Sequence, residues 1–389
     1  MSFQNKEFIP LSIPFLGGNE EHYLRECVST NFVSSVGPFV NKFESFLCKI
    51  TGFKHCTAVS SGTSALQVAL LANGVEKNDL VIMPSYTFIA TANAISHCGA
   101  EPWIFDISLE DLNLDMNLVR AVLEKETYFD EDGSLRHKKS KKRVSALVPV
   151  FCMGMPIDIN EALQLATDFN LKIVVDAAAG LGSKFEGADI GKFSVDALIL
   201  SFNGNKNITT GGGGAILSND RDCVSNALHL SSTGRKGRNY DHDCVAYNYR
   251  MTNIQAALGV AQLEKLDSII EKKKTIFNSY KFTLNQPSLS HFPTIRDRES
   301  SYWLSGIIIK NGDIENVIRY MTENGIEARL FWKPIHLQEP YWKCYKTKMD
   351  ISNNLWRKVL ILPSSTTLSE PQQKRVCNTI KGYFEVKSD

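Results

Sequence analysis

The sequence predicts an α/β protein, a large unit with a mostly parallel sheet between helices plus a smaller C-terminal α+β unit. Two observations predict it. Short apolar runs rich in Val and Ile alternate with helix-period segments over roughly residues 50 to 220, the pattern of parallel strands joined by crossover helices. Beyond about residue 285 one strand-like run and two helical segments make up an α+β unit of about 100 residues. The length agrees, because 389 residues correspond to two or three structural units at about 100 to 200 residues each.

Taken in order, residues 1 to 15 carry little helix or strand signal and could pack on either unit. Strands are expected at 80–83, 103–105, 144–151, 171–176, 197–202 and 214–217. Between them, 63–71 reads as a buried helix opening behind a Gly-Thr turn, and 160–168 as a short crossover helix. A long helix follows, with Asn253 as its N-cap and Ile254, Leu258, Ala261, Leu266 and Ile269 along one side, and should join the large unit to the smaller one. The expected division is therefore an N-terminal segment at 1–15, a large unit at 16–284 and a small unit at 285–389. In the small unit, 303–310 reads as a strand, 314–324 as a helix ending at Gly325, and 372–384 as a final helix. The charge run RHKKSKKR at 136–143 follows FDEDGS at 129–134. Its acidic and basic halves flanking Asp132-Gly133 suit a solvated hairpin better than a basic binding patch.

Composition excludes several function classes. Forty-three Lys and Arg against 42 Asp and Glu leave a formal charge of +1, too near neutrality for nucleic acid or an anionic membrane surface as main partner. Hydrophobic residues at 43% and aromatics at 10% match a globular enzyme, and no run approaches the ~20 apolar residues of a bilayer span. The start, MSFQNKEFIPLSIPF, has neither a basic n-region nor a continuous apolar h-region, so the cytoplasm is the expected location. Nine cysteines lie singly with no C-x-x-C, which reads as reduced, mostly core thiols and no metal site.

Three segments carry chemistry. In LSFNGNKNITTGGGGAIL at 200–217, Lys206 lies just past an apolar strand, so its amine would project at the carboxyl edge of the sheet, where α/β folds place ligands. A lysine there can form an imine with an aldehyde, although alone it would read as an exposed loop residue. The block Gly211 to Gly214 precedes a strand and matches neither the dinucleotide fingerprint nor the P-loop; it suits a backbone that bends and approaches closely behind the lysine loop. Ser60-Ser61-Gly62-Thr63-Ser64 opens a helix, whose free N–H groups suit an anion, making Gly62, Thr63 and Ser64 phosphate candidates; by itself S-G-T-S is also a good N-cap. In LKIVVDAAAGLG at 171–182, Asp176 ends a wholly apolar strand. A carboxylate buried there needs a cation or good donors, and a protonated pyridine nitrogen would serve, as would the next helix start. One ligand with an aldehyde, a phosphate and a ring nitrogen satisfies all three segments, and pyridoxal 5'-phosphate (PLP) has them.

Six ordered motifs, VSSGTSAL at 59–66, PSYTFIATANAI at 84–95, VVDAAAGLGS at 174–183, SFNGNKNITTGGGG at 201–214, YNYRMTNIQAALGVAQL at 247–263 and EARLFWKPIHLQ at 327–338, resemble the DegT/DnrJ/EryC1/StrS family of PLP-dependent sugar aminotransferases along nearly the whole chain. The resemblance implies the PLP-dependent transferase fold type I and a soluble homodimer with shared active sites. It implies that Lys206 holds the cofactor as an imine, Asp176 faces the pyridine nitrogen and Phe88 stacks on the ring. Gly62, Thr63 and Ser201 would bind the phosphate, joined by Asn248 of the neighbouring subunit. The chain departs from the family at Ala179, where relatives have Gln, Glu or His near the cofactor hydroxyl. Lys206 itself argues against the branch in which His replaces the lysine and dehydration results. The implied reaction passes an amino group from L-glutamate through pyridoxamine 5'-phosphate to a nucleotide-linked keto sugar. Within the family, VSSVG at 33–37 together with the lysine and YNYRM motifs is most similar to enzymes that aminate C4 of UDP-linked 4-keto-6-deoxy-N-acetylhexosamines, on the way to bacillosamine or legionaminic-type sugars. Ser34, Ser35, Arg329 and His336 would then lie near the sugar or diphosphate, with a surface ion pair for Arg329 and a satisfied core position for His336 as the plainer readings. The alternatives are a C3 or a dTDP- or GDP-linked keto-sugar aminotransferase and, in a different class, a PLP-binding regulator without turnover.

Overall fold

The computed structural model describes residues 7–237 and 239–386. Its central sheet has seven strands in the order His55–Val59, Gly214–Ser218, Ala197–Ser201, Lys172–Asp176, Val144–Leu147, Leu80–Pro84 and Glu101–Phe105. The last five pair in parallel, and the two pairings that involve Gly214–Ser218 are antiparallel. Alternate side chains of each strand enter different cores: Leu80, Ile82, Ile173, Val175, Leu198 and Leu200 face one, and Val81, Met83, Val174 and Ile199 the other. Burial on both faces is why these strands read as continuous apolar runs.

Helices cover both faces. Pro38–Thr51, Met116–Glu126, Ile159–Asp168 and Asn253–Leu263 supply the first core, and Gly62–Ala72, Ala90–His97 and Arg221–Ser231 the second. A second, antiparallel sheet runs Leu289–His291, Ser305–Ile309, Val359–Leu362 and Arg329–Leu330. Its own core includes Ile314–Glu323, Glu370–Val386 and the inner side of Leu266–Thr283. The N-terminal chain docks on this smaller sheet, with Ile9 fully buried there and bridged to Ile326. Among the described residues no helix is long and apolar enough to cross a membrane.

Three differences from the sequence reading have local causes. The strand expected at 144–151 stops at Leu147, because Pro149 offers no N–H; its carbonyl still accepts from Asp176 N at 2.9 Å. The helix given Asn253 as N-cap is capped by Thr252, whose hydroxyl and Gln255 form a reciprocal capping box. Asn253 turns inward instead: it accepts from Phe39 N at 2.9 Å and donates to Phe32 O at 2.8 Å. The long helix is also two, Asn253–Leu263 and Leu266–Thr283, broken at Glu264-Lys265. The segment around Asp132-Gly133 is a hairpin, Thr127–Phe129 against Leu135–His137, with Gly133 at a φ of 76° and Arg136 paired to Asp130. All nine cysteines are free thiols, five of them buried.

Candidate active site

The carboxyl ends of the parallel strands meet at a cavity of about 220 Å3. Gly62, Thr63, Phe88, Asp176, Ala179, Ser201 and Lys206 line it together, with Trp303 and Trp332 closing it from the side of the smaller sheet. Asp176 and Ser201 are the last residues of neighbouring strands, so the sheet itself sets the carboxylate and the hydroxyl side by side at one edge.

Asp176 is 6% exposed. Its carboxylate accepts from Thr91 Oγ1 at 2.7 Å and from Ala178 N at 3.1 Å, and Thr91 Oγ1 lies 2.9 Å from Thr87 Oγ1. Burial pushes its pKa above the usual carboxylate range, against the two donors and the Lys206 charge. Lys206 sits in the turn after Ser201, and its Nζ lies 3.8 Å from the centre of the Trp303 ring. Burial pulls the amine down to about 8, opposed in part by Asp176. Acid and amine are thus both biased toward neutral forms, since desolvation disfavours the charged form of each.

The anion cradle is built by close approach. Val59 pairs with Gly214, and Gly214 with Ser201, so the loop Ser60-Ser61-Gly62 starts beside the end of the Ser201 strand. A Cβ on Gly62 would come within 2.8 Å of Ser201 Cβ, and one on Gly214 within 2.4 Å of Ser61 O. The helix Gly62–Ala72 begins there, and its first two residues, Gly62 and Thr63, line the cavity. Ser64 is not part of the lining: its hydroxyl completes a capping box with Ser61 and lies 3.0 Å from Ser61 N. The phosphate expectation for Ser64 therefore gives way to a capping role. The other donors fit PLP by chemistry: an amine for an aldehyde, a buried carboxylate for a ring nitrogen, and a glycine-serine cradle for a phosphate.

Five other candidates lie elsewhere in the chain. Asn248 and Ser35 share a surface hollow with Arg250 and His229. Ser34 is exposed and its carbonyl accepts from Asn253 N at 2.6 Å. Arg329 points outward and pairs with Glu327, two residues before it and outside the strand. His336 is 7% exposed and held between Ser85 Oγ at 2.6 Å and Asn353 Oδ1 at 3.0 Å, with burial lowering its pKa. For these last two the contacts fit the plainer readings, an ion pair and a satisfied core histidine. Trp303, Trp332 and Thr91 were not singled out from sequence. Thr87 and Thr91, four apart around the helix start, were the available signal for the last.

The DegT/DnrJ/EryC1/StrS aminotransferase family matches residues 14–381. The chain is 35% identical to GDP-perosamine synthase of Vibrio cholerae, covering 97% of this chain and 99% of the relative. It is 30% identical to UDP-4-amino-4,6-dideoxy-N-acetyl-beta-L-altrosamine transaminase of Campylobacter jejuni, over 90% of each. Its structure is similar to that of S. venezuelae DesV in complex with a ketimine intermediate, with a TM-score of 0.85 and 25% identity over 97% of this chain and 99% of that one. A match over nearly the whole chain, joined to a cavity with the lysine and aspartate in place, is decisive: the chain belongs to the DegT/DnrJ/EryC1/StrS family and is a PLP-dependent nucleotide-sugar aminotransferase of fold type I.

Proposed function

We propose that the enzyme transfers the amino group of L-glutamate to C4 of a GDP-linked 4-keto-6-deoxy sugar. The order of similarity supports GDP over the UDP-linked N-acetylhexosamine expected from sequence: the GDP-perosamine synthase is 35% identical, the UDP-sugar transaminase 30% and over less of the chain. In this reading Lys206 anchors the cofactor, Asp176 faces its ring nitrogen, Phe88 covers the ring, and Gly62, Thr63 and Ser201 hold the phosphate, with Asn248 of a second copy completing it in a homodimer. When bound, PLP supplies an aldehyde for the amine and a ring that draws electrons from the donor's α-carbon.

The chain's own residues do the rest. Lys206 Nζ, drawn down to about 8, is free as a base in a useful fraction near neutral pH, so it can take the α-proton and return it. Thr91 and Ala178 donate to the Asp176 carboxylate and so favour its charged form against the desolvation that raises its pKa; a protonated ring nitrogen would complete that stabilisation. The Trp303 ring covers one side of Nζ, and Trp332 lines the same cavity. Glutamate leaves as its keto acid, and the sugar carbonyl becomes an amine. Ala179 brings no polar side chain to the cavity, and its carbonyl is already taken by Ser301 Oγ.

The test is incubation with glutamate and a panel of GDP-, UDP- and dTDP-linked 4-keto-6-deoxy sugars, with the amine located by mass and NMR. Preferential amination of the GDP sugar at C4 is expected. Preference for the UDP N-acetyl sugar would return the assignment to the bacillosamine or legionaminic-type reaction, and amination at C3 would reject the carbon position.

A further inference from the structure

One buried cation plays no part in the reaction as described. Lys273, on the inner side of Leu266–Thr283, is 4% exposed, and its Nζ lies 2.9 Å from Trp303 O and 3.0 Å from Ser364 O. Burying an ammonium against neutral carbonyls is costly, and a lysine is the least economical apolar spacer. Its position explains what it holds. Ser305 pairs with Leu362, the last rung between Ser305–Ile309 and Val359–Leu362. Two residues further out, Trp303 and Ser364 stand opposite one another with no rung between them, and the ammonium bridges their carbonyls. Seven residues on, the same helix sends Tyr280 Oη to Pro363 O at 2.9 Å, so this turn is gripped twice.

What the bridge fixes is the wall of the active site. The Trp303 ring stands against Lys206 Nζ, and Trp303 Nε1 donates to Asn205 O at 2.7 Å, on the residue before the lysine. The Trp332 ring follows at 6.1 Å. We propose that Lys273 is a positioning residue for the aminotransferase reaction: by clamping the Trp303 backbone to Ser364 it holds the indole against the Lys206 amine and its loop. The inference rests on the reading of Lys206 as the cofactor-bearing amine.

The charged group facing Lys206 is Asp176, on the neighbouring strand. At Lys273 desolvation acts with no charged group offsetting it, drawing that amine to about 8 as well. The position of the indole should therefore be readable in the titration of Lys206. Trace acetic anhydride labelling of the cofactor-free protein over a pH series, read at Lys206 by peptide mass, gives its apparent pKa without turnover. Wild type should titrate near 8. Lys273→Met should raise this by about half a unit or more as water reaches the amine, and Lys273→Gln, which keeps one donor, by less. Lys274→Met, one residue along and paired with Glu299 at the surface, should leave it unchanged. Trp303→Leu should raise it too, and Lys273→Met should add nothing in that background. Additive shifts would show that the Lys273 charge acts directly and overturn the proposal, as would an unshifted Lys206 in Lys273→Met. If Lys206→Ala kept transaminase activity, the functional reading would fall while the labelling curves still decided the coupling.

Discussion

At the residue scale the site is two groups held away from their ordinary ionisation. The lowered amine and the raised carboxyl have the same first cause, burial at the strand ends, and each is only partly relieved by the other. A cofactor that brings a cationic ring nitrogen and takes the amine covalently removes both penalties, so loading should depend on the free amine. The rate at which added PLP changes the absorbance of cofactor-free protein should rise with pH and level off above about 8, not near the 10.5 of an ordinary lysine. A plateau near 10.5 would mean the amine is solvated. Lys206→Ala should abolish turnover and leave circular dichroism unchanged, because anchor and proton carrier go together. Asp176→Asn should lower exchange of the donor α-proton far more than it lowers PLP content, since the amide neither charges nor holds a protonated ring nitrogen. Equal losses in the two measurements would assign Asp176 to cofactor retention alone.

Among the elements, the loop that starts the helix Gly62–Ala72 shows how little slack the cradle has. Gly62→Ala sets a Cβ within 2.8 Å of Ser201 Cβ, an atom fixed to the end of a strand, so no side-chain rotation can relieve the contact. PLP affinity should fall about tenfold or more, equivalent to about 1.4 kcal/mol, by titration of cofactor-free protein. Ser64→Ala instead breaks the capping box and should cost about 1 kcal/mol of stability, seen as a lower melting temperature; a loss confined to PLP affinity would put Ser64 back on the phosphate. These elements differ in how legible they were. Asp176 and Lys206 were readable because a polar residue closing an apolar run has one place to go, the sheet edge. Thr252-Asn253 offered two cap residues in a row, and Gln255, three after Thr252, was the feature that decided between them. Trp303 read only as the start of a strand; its meeting with Lys206 depends on a second sheet folding back across nearly a hundred residues, which no local pattern records. Arg329 and His336 rested on resemblance alone. The strand that carries Arg329 turns it outward beside Glu327, while Ser85 and Asn353 satisfy both nitrogens of His336.

For the whole molecule the decisive fact is a separation. Asn248 sits with Ser35 and Arg250 in a hollow that does not include Lys206, whose own cavity contains Gly62 and Ser201. In the homodimer reading, Asn248 would serve a phosphate bound at Gly62 in the cavity of another copy. Leu228, which lines that hollow, is exposed, and so are Val33 and Val36, which flank Ser34 and Ser35 in sequence, as residues of a face that meets a second copy would be. A carboxamide can donate to a charged oxygen with a strength of about 1 to 3 kcal/mol, so Asn248→Ala should weaken PLP retention. Asn248→Asp should go further, because its carboxylate repels the phosphate. Mixing Lys206→Ala with Asn248→Asp then gives a sharp test. In a hybrid dimer one site has both changes, and the other has Lys206 from one chain and Asn248 from its partner, both intact. Each parent should be inactive, and the purified heterodimer should regain up to about half of the wild-type rate, one intact site in two. Heterodimers verified by mass that stay as inactive as their parents would show that Asn248 acts within its own chain or not at all, and the shared site would have to be abandoned.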